Sequence, residues 1–205
     1  MTPTAAPQVL ILACGALARE IRDIARLHEL GNVTLECIPA ALHMTPDLIA
    51  PAVRRRLERH QGAFDRILVG YADCGTGGHL VDLCREFTTG TTIVEMMPGA
   101  HCYQFFTGNE AFLEMHDDDP TAFYLTDYLV KHFERLIIGG LGIAEHPELQ
   151  AMYFGNYTKL IHLAQTDDPT LDDKARAAAA RLDLSFERRR TGYGELESEI
   201  LEIAR

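Results

Sequence analysis

Three of the five cysteines in this 205-residue chain hold equivalent positions in the local pattern. Cys14, Cys74 and Cys102 each follow a short apolar run at its carboxyl end, beside or near a glycine. Thiolates meeting at one point suit a zinc ion with one open position, or an iron–sulfur cluster with one iron left for substrate. A site with an open position favours catalysis over a purely structural role. Taken singly, a free cysteine is also a small and readily buried hydrophobe. Cys37, inside an apolar run, and Cys84, inside an amphipathic pattern, are read as packing residues.

Further polar residues flank the trio. His101 adjoins Cys102, and neighbours in extended chain point to opposite faces, so the pair suits one metal only if the segment turns. His101 is read as an acid–base group, a substrate contact or a support for a ligand. Between Gly70 and Gly78 runs a glycine-rich loop that opens a helix. It lacks the lysine of a phosphate loop and the spacing of a dinucleotide fingerprint. Gly75, Thr76 and Gly77 remain as amides that could hold an anion or lower the pKa of Cys74. A rival reading follows: Cys74 as nucleophile, helped by Asp73 and His101. Glu20 lies on the helix after Cys14 and could face the same edge, although such a carboxylate is more often exposed.

These groups meet only if the fold brings them together. Val9–Ala13, Val33–Ile38, Ile67–Gly70 and Thr91–Met96 read as strands, the first an unbroken apolar run suited to a strand covered on both faces. Helical patterns alternate with them: Leu17, Ile21, Ile24 and Leu27, then Ile49, Val53 and Leu57, then His79–Phe87. Alternation of this kind predicts an open, mostly parallel α/β sheet flanked by helices, Rossmann-like, with a more helical C-terminal half. Strand carboxyl ends then share one edge, where ligands bind. The three cysteines converge there if the first, third and fourth strands are neighbours. In the second half, Asn109–Met115, Tyr124–Arg135 and Leu149–Ala164 read as helical, as do Leu171–Leu182 behind Asp168-Pro169 and Glu195–Ile203. Leu136–Gly140 suits a strand or a helix end, and Ser185–Arg190 a last strand. Thr126, Asp127 and Tyr157 are weaker pocket candidates. No linker interrupts the pattern, which predicts a single α/β domain over 1–205.

Composition narrows the partners. Thirty acidic residues against nineteen basic ones leave a formal charge of −11, which argues against nucleic acid. No apolar stretch approaches the ~20 residues of a membrane span. The first residues show no basic segment followed by a long apolar run, so no secretory signal is expected. An odd set of cysteines in a chain of this size points to free thiols in a reducing cytoplasm.

The segments Ile11–Glu20, Gly70–Gly78 and Pro98–Cys102 resemble those of a bacterial and archaeal family catalogued as domain of unknown function 1638. The likeness extends through Tyr124 and Tyr153–Tyr157. In many members one residue separates the His from the Cys that are adjacent here as His101 and Cys102. Members occur in organisms rich in corrinoid-dependent methyl transfer. The resemblance therefore implies one-carbon metabolism and a corrinoid or methyl-transfer partner. The leading expectation is a cytoplasmic metalloenzyme with Cys14, Cys74 and Cys102 around zinc or an iron–sulfur cluster, acting on a small molecule as a lyase, transferase or hydrolase. The alternatives are a metal-free enzyme with Cys74 as nucleophile and a non-catalytic accessory protein.

Overall fold

The structure is a computed structural model, and it describes residues 6–205. The strands are β1 (Val9–Cys14), β2 (Val33–Ile38), β3 (Arg66–Gly70), β4 (Ile93–Met96), β5 (Ala122–Thr126), β6 (Lys159–Ala164) and β7 (Ser185–Arg190). The helices are α1 (Ala18–Leu27), α2 (Ile49–Arg59), α3 (His79–Phe87), α4 (Gln104–Thr107), α5 (Asn109–Asp118), α6 (Asp127–Lys131), α7 (Leu149–Phe154), α8 (Pro169–Leu182) and α9 (Gly194–Ile203). Among the described residues, no helix is long and apolar enough to cross a membrane. The chain is α/β with parallel pairing throughout, but its strands divide between two sheets. Each sheet anchors a compact unit, one running up to Phe105 and including Tyr193–Arg205, the other Phe106–Gly192.

In the first unit the strand order is β2-β1-β3-β4. Residues Val9 to Ala13 have no solvent exposure, which is why β1 carries no polar alternation. From β1 the chain moves out to β2, then crosses back to β3 on the other side. The reversal makes the carboxyl ends of β1 and β3 a topological switch point, the place where open α/β sheets leave a crevice. Gly70, paired with Ala13, permits an unusually close approach there. A Cβ at Gly70 would stand 2.9 Å from the Ala13 Cβ, nearer than packed atoms allow.

The second unit is built on β5-β6-β7. Its core joins Leu125, Val130, Phe133, Leu160, Leu171 and Ala175. Here the structure corrects the helical readings of Tyr124–Arg135 and Leu149–Ala164. Residues 122–126 form β5 before α6 begins, and residues 159–164 form β6 after α7 ends. In both places a buried apolar run has no periodicity of its own, and the neighbouring helix supplied the apparent spacing. Glu134–Gly139 is a π-helical turn that follows α6, so of the two alternatives for Leu136–Gly140 the structure takes the helix end. The helix behind Asp168-Pro169 forms as its signals require, with the Thr170 N–H donating to the Asp168 carboxylate at 2.9 Å.

Candidate functional site

With β1, β3 and β4 adjacent, the condition for bringing Cys14, Cys74 and Cys102 to one edge is met. Cys14 is the last residue of β1, while Cys74 and Cys102 lie in the loops that leave β3 and β4. Backbone hydrogen bonds join those two loops. Asp73 N–H donates to the Gly99 carbonyl at 3.0 Å, and Cys74 N–H donates to the Ala100 carbonyl at 3.1 Å. Gln104, buried at the start of α4, accepts from Ala100 N–H at 2.7 Å and His101 N–H at 2.8 Å. This clamp makes the turn that separates His101 from Cys102, leaving His101 exposed and Cys102 partly covered.

Cys74 adopts a left-handed backbone at φ 50°, followed by Gly75 at 81°, Gly77 at 62° and Gly78 at 87°. For a residue with a Cβ this conformation is strained, and such strain persists only where surroundings enforce it. Asp73 enforces it from within the loop. Its carboxylate accepts from Gly78 N–H at 2.8 Å, Gly77 N–H at 3.3 Å and the Thr76 hydroxyl at 3.2 Å. The amide of Gly78, joined by the Thr76 hydroxyl and the Gly77 and Gly75 amides, holds that carboxyl below its usual range. The loop thus supplies its own anion, and Asp73 is committed to shaping it.

The electrostatics tie the three sulfurs together. Burial pushes the Cys14 thiol up, against hydrogen bonds from Ala16 and Tyr71 that lower it. Burial also pushes Cys74 up to about 11, with the charges of Cys14 and Asp73 adding to the shift. Cys102 is raised further, by burial and then by Cys74 and Cys14. Each thiol is therefore within electrostatic reach of the other two and is protonated at neutral pH. Tyr71 was not singled out from sequence. Its buried hydroxyl interacts with the Cys14 thiol and finds no hydrogen-bonding nitrogen or oxygen among the described residues.

His43 is a second addition, from the segment after β2. Burial, then the nearby charge of His101, lowers its pKa. A Cβ at Gly15 would come within 3.3 Å of the Ile38 carbonyl, and one at Gly75 within 3.5 Å of Pro46. That segment thus lies against both the Cys14 turn and the Cys74 loop. Cys37 borders the site as well, since its charge is felt by Cys14 and Tyr71. Cys84 is a buried residue of α3. Glu20, only 3 % exposed, sits on α1 where its charge is felt by Tyr193. Among the described residues, no three His, Cys, Asp or Glu side chains are placed closely enough to hold a metal ion as they stand.

The second unit holds a different polar cluster. Asp127 accepts from the Thr166 hydroxyl at 2.6 Å, Thr166 N–H at 3.0 Å and Gln165 N–H at 3.2 Å, and pairs with His162 Nε2 at 2.9 Å. His162 Nδ1 lies 3.3 Å from Asp172, which Arg188 engages at 2.8 Å. Asp127 and His162 are 2 % and 0 % exposed, and their hydrogen bond ties the residue after β5 to the interior of β6.

The family model described as protein of unknown function (DUF1638) matches residues 37–200. The chain belongs to that family. The matched span includes Cys74, His101 and Cys102, and Cys14 precedes it. No curated protein and no solved structure matches the chain.

Proposed function

We propose that the first unit of this DUF1638 protein is a thiolate metal centre, with Cys14, Cys74 and Cys102 as ligands and one coordination position open to a small substrate. The observation that carries the reading is that three buried or half-buried thiols lie within electrostatic reach of one another along the carboxyl edge of a parallel sheet. Three such groups cannot all ionise beside one another in a low-dielectric site unless a cation joins them. A metal supplies that charge and displaces the protons. The occupant is a zinc ion or an iron–sulfur cluster, each of which leaves a position open beside three thiolates.

A soft, thiolate-bound metal with an open position prefers sulfur ligands, which makes a small thiol or methylated thiol the substrate class. The protein is then an enzyme of sulfur or one-carbon chemistry, and a methyl carrier is its natural partner. His101, exposed at the rim with His43 beside it, is placed to exchange protons with such a substrate. The rival reading, Cys74 as nucleophile helped by Asp73 and His101, has less support: the thiol is pushed up to about 11, and the Asp73 carboxylate is engaged by the Gly77 and Gly78 amides.

The test is metal and acid-labile sulfide analysis of protein purified without oxygen. Cys14→Ser, Cys74→Ser and Cys102→Ser should each lose the metal, while Cys84→Ser keeps it. Equal metal content in all four variants would overturn the assignment.

A further inference from the structure

The second unit contains a cavity of about 660 Å³ between the Val130–Arg135 segment and α8. On α8 it is lined by Lys174, Ala177, Ala178 and Arg181, spaced three, four and seven residues apart and so on one helical face. The two alanines leave the space, and the cations stand at its two ends. Lys131 and Arg135 line the opposite wall. Two of the three lysines in a chain of formal charge −11 thus line one cavity. The single carboxylate there, Glu134, lies 3.7 Å from Arg181. Lys131, Arg135 and Lys174 have no carboxylate within ion-pair distance among the described residues. In the same unit Lys159 lies between Asp119 and Glu187, and Arg188 between Asp167 and Asp172. His132, whose ring packs on Tyr128, also lines the cavity.

We propose that this cavity binds a small organic anion, a phosphate or carboxylate head on an apolar body. Three cations with no carboxylate in ion-pair distance among the described residues line the two walls of one cleft, and an anionic head relieves their repulsion. Val130, Phe133 and the two alanines provide the apolar surface that such a ligand's body covers. The volume falls in the range of small-molecule sites, ~300–1,000 Å³. His132 reports the field: burial, then the charges of Arg135, Lys131 and Lys174, lower its pKa. This site is independent of the thiol centre.

The chain has no tryptophan, so a naphthyl probe can be followed by fluorescence anisotropy on the full-length protein. The probes are 1-naphthyl phosphate, 1-naphthoate and uncharged 1-naphthol. At least one anion should bind more tightly than naphthol, and the tighter of the two identifies the head group. Lys131→Ser with Lys174→Ser should weaken that binding by about tenfold or more, with a smaller loss at high salt. Ala177→Leu, which takes up part of the space, should also weaken it, and the anion should raise the His132 titration midpoint seen by NMR. Naphthol binding as tightly as both anions, or anion binding unchanged by the double variant and by Ala177→Leu, would overturn the proposal.

Discussion

The Cys74 N–H donates to the Ala100 carbonyl at 3.1 Å, two residues before Cys102, so the loops bearing two of the three thiols are joined by their own backbones. With β1 and β3 in register at Ala13 and Gly70, that bond makes the spacing of the thiols a property of the sheet rather than of free loops.

Gln104 holds this arrangement from below. Gln104→Ala strips the acceptor from two amides, and each such hydrogen bond contributes about 0.5–1.5 kcal/mol net. Urea unfolding should show a loss of roughly 2 kcal/mol for the first unit, and Gln104→Glu, which keeps an acceptor, should recover much of it.

Gly70→Ala drives a methyl group into Ala13. Overpacking of this kind costs about 1–3 kcal/mol. Restoring the space with Ala13→Gly in the same chain should return part of that loss, and a double-mutant cycle by urea unfolding measures the coupling.

Asp73 ties the Cys74 loop through its charge. The Gly78 amide and its neighbours hold the folded carboxyl below the unfolded value of about 4, so the contribution is complete above that pH and drains away as acid titrates through the lower folded value. Asp73→Asn should therefore be less stable than the parent at neutral pH, and the gap should close as pH falls below about 4. A gap independent of pH would contradict the role.

Asp127 acts similarly in the second unit but from a buried position. Burial alone raises its pKa, and the hydrogen bonds of His162 and Thr166 outweigh that and hold it low. Removing this carboxylate strands the buried donors that it satisfies, each at a cost of about 1–3 kcal/mol. Asp127→Ala should lose that order of stability, with hydrogen-exchange protection falling first in β5 and β6.

Much of the first sheet was legible because each of its strands is a largely apolar stretch that ends near Gly or Pro, and helical patterns alternate with them. The cysteine edge followed from that alternation, since parallel strands place their carboxyl ends together. β5 and β6 were hidden because Ala122–Thr126 and Lys159–Ala164 lie next to α6 and α7, so short buried runs borrowed a helical period. Tyr71 and His43 left no signal: a tyrosine ending a strand and a histidine in a loop become neighbours of Cys14 and His101 only through strand order and the fold of the 39–46 segment. The commitment of Asp73 to Gly77 and Gly78 was equally invisible, because the run of left-handed residues that brings those amides to the carboxylate does not show in residue types.

Thiol reactivity separates the two chemistries open to Cys74. In metal-free protein, alkylation of Cys74 should be slow at neutral pH and climb only as pH approaches 11. Rapid labelling near pH 7 would instead identify an activated nucleophile.

The most direct test of the central claim is iron, zinc and sulfide analysis, with an absorption spectrum, on oxygen-free protein and its Cys14→Ser, Cys74→Ser and Cys102→Ser variants. The account predicts a near-stoichiometric centre in the parent, absorbing broadly near roughly 400 nm if a cluster, and its loss in all three variants. A folded parent that takes up neither iron nor zinc, or variants that retain the parent's full complement, would contradict it.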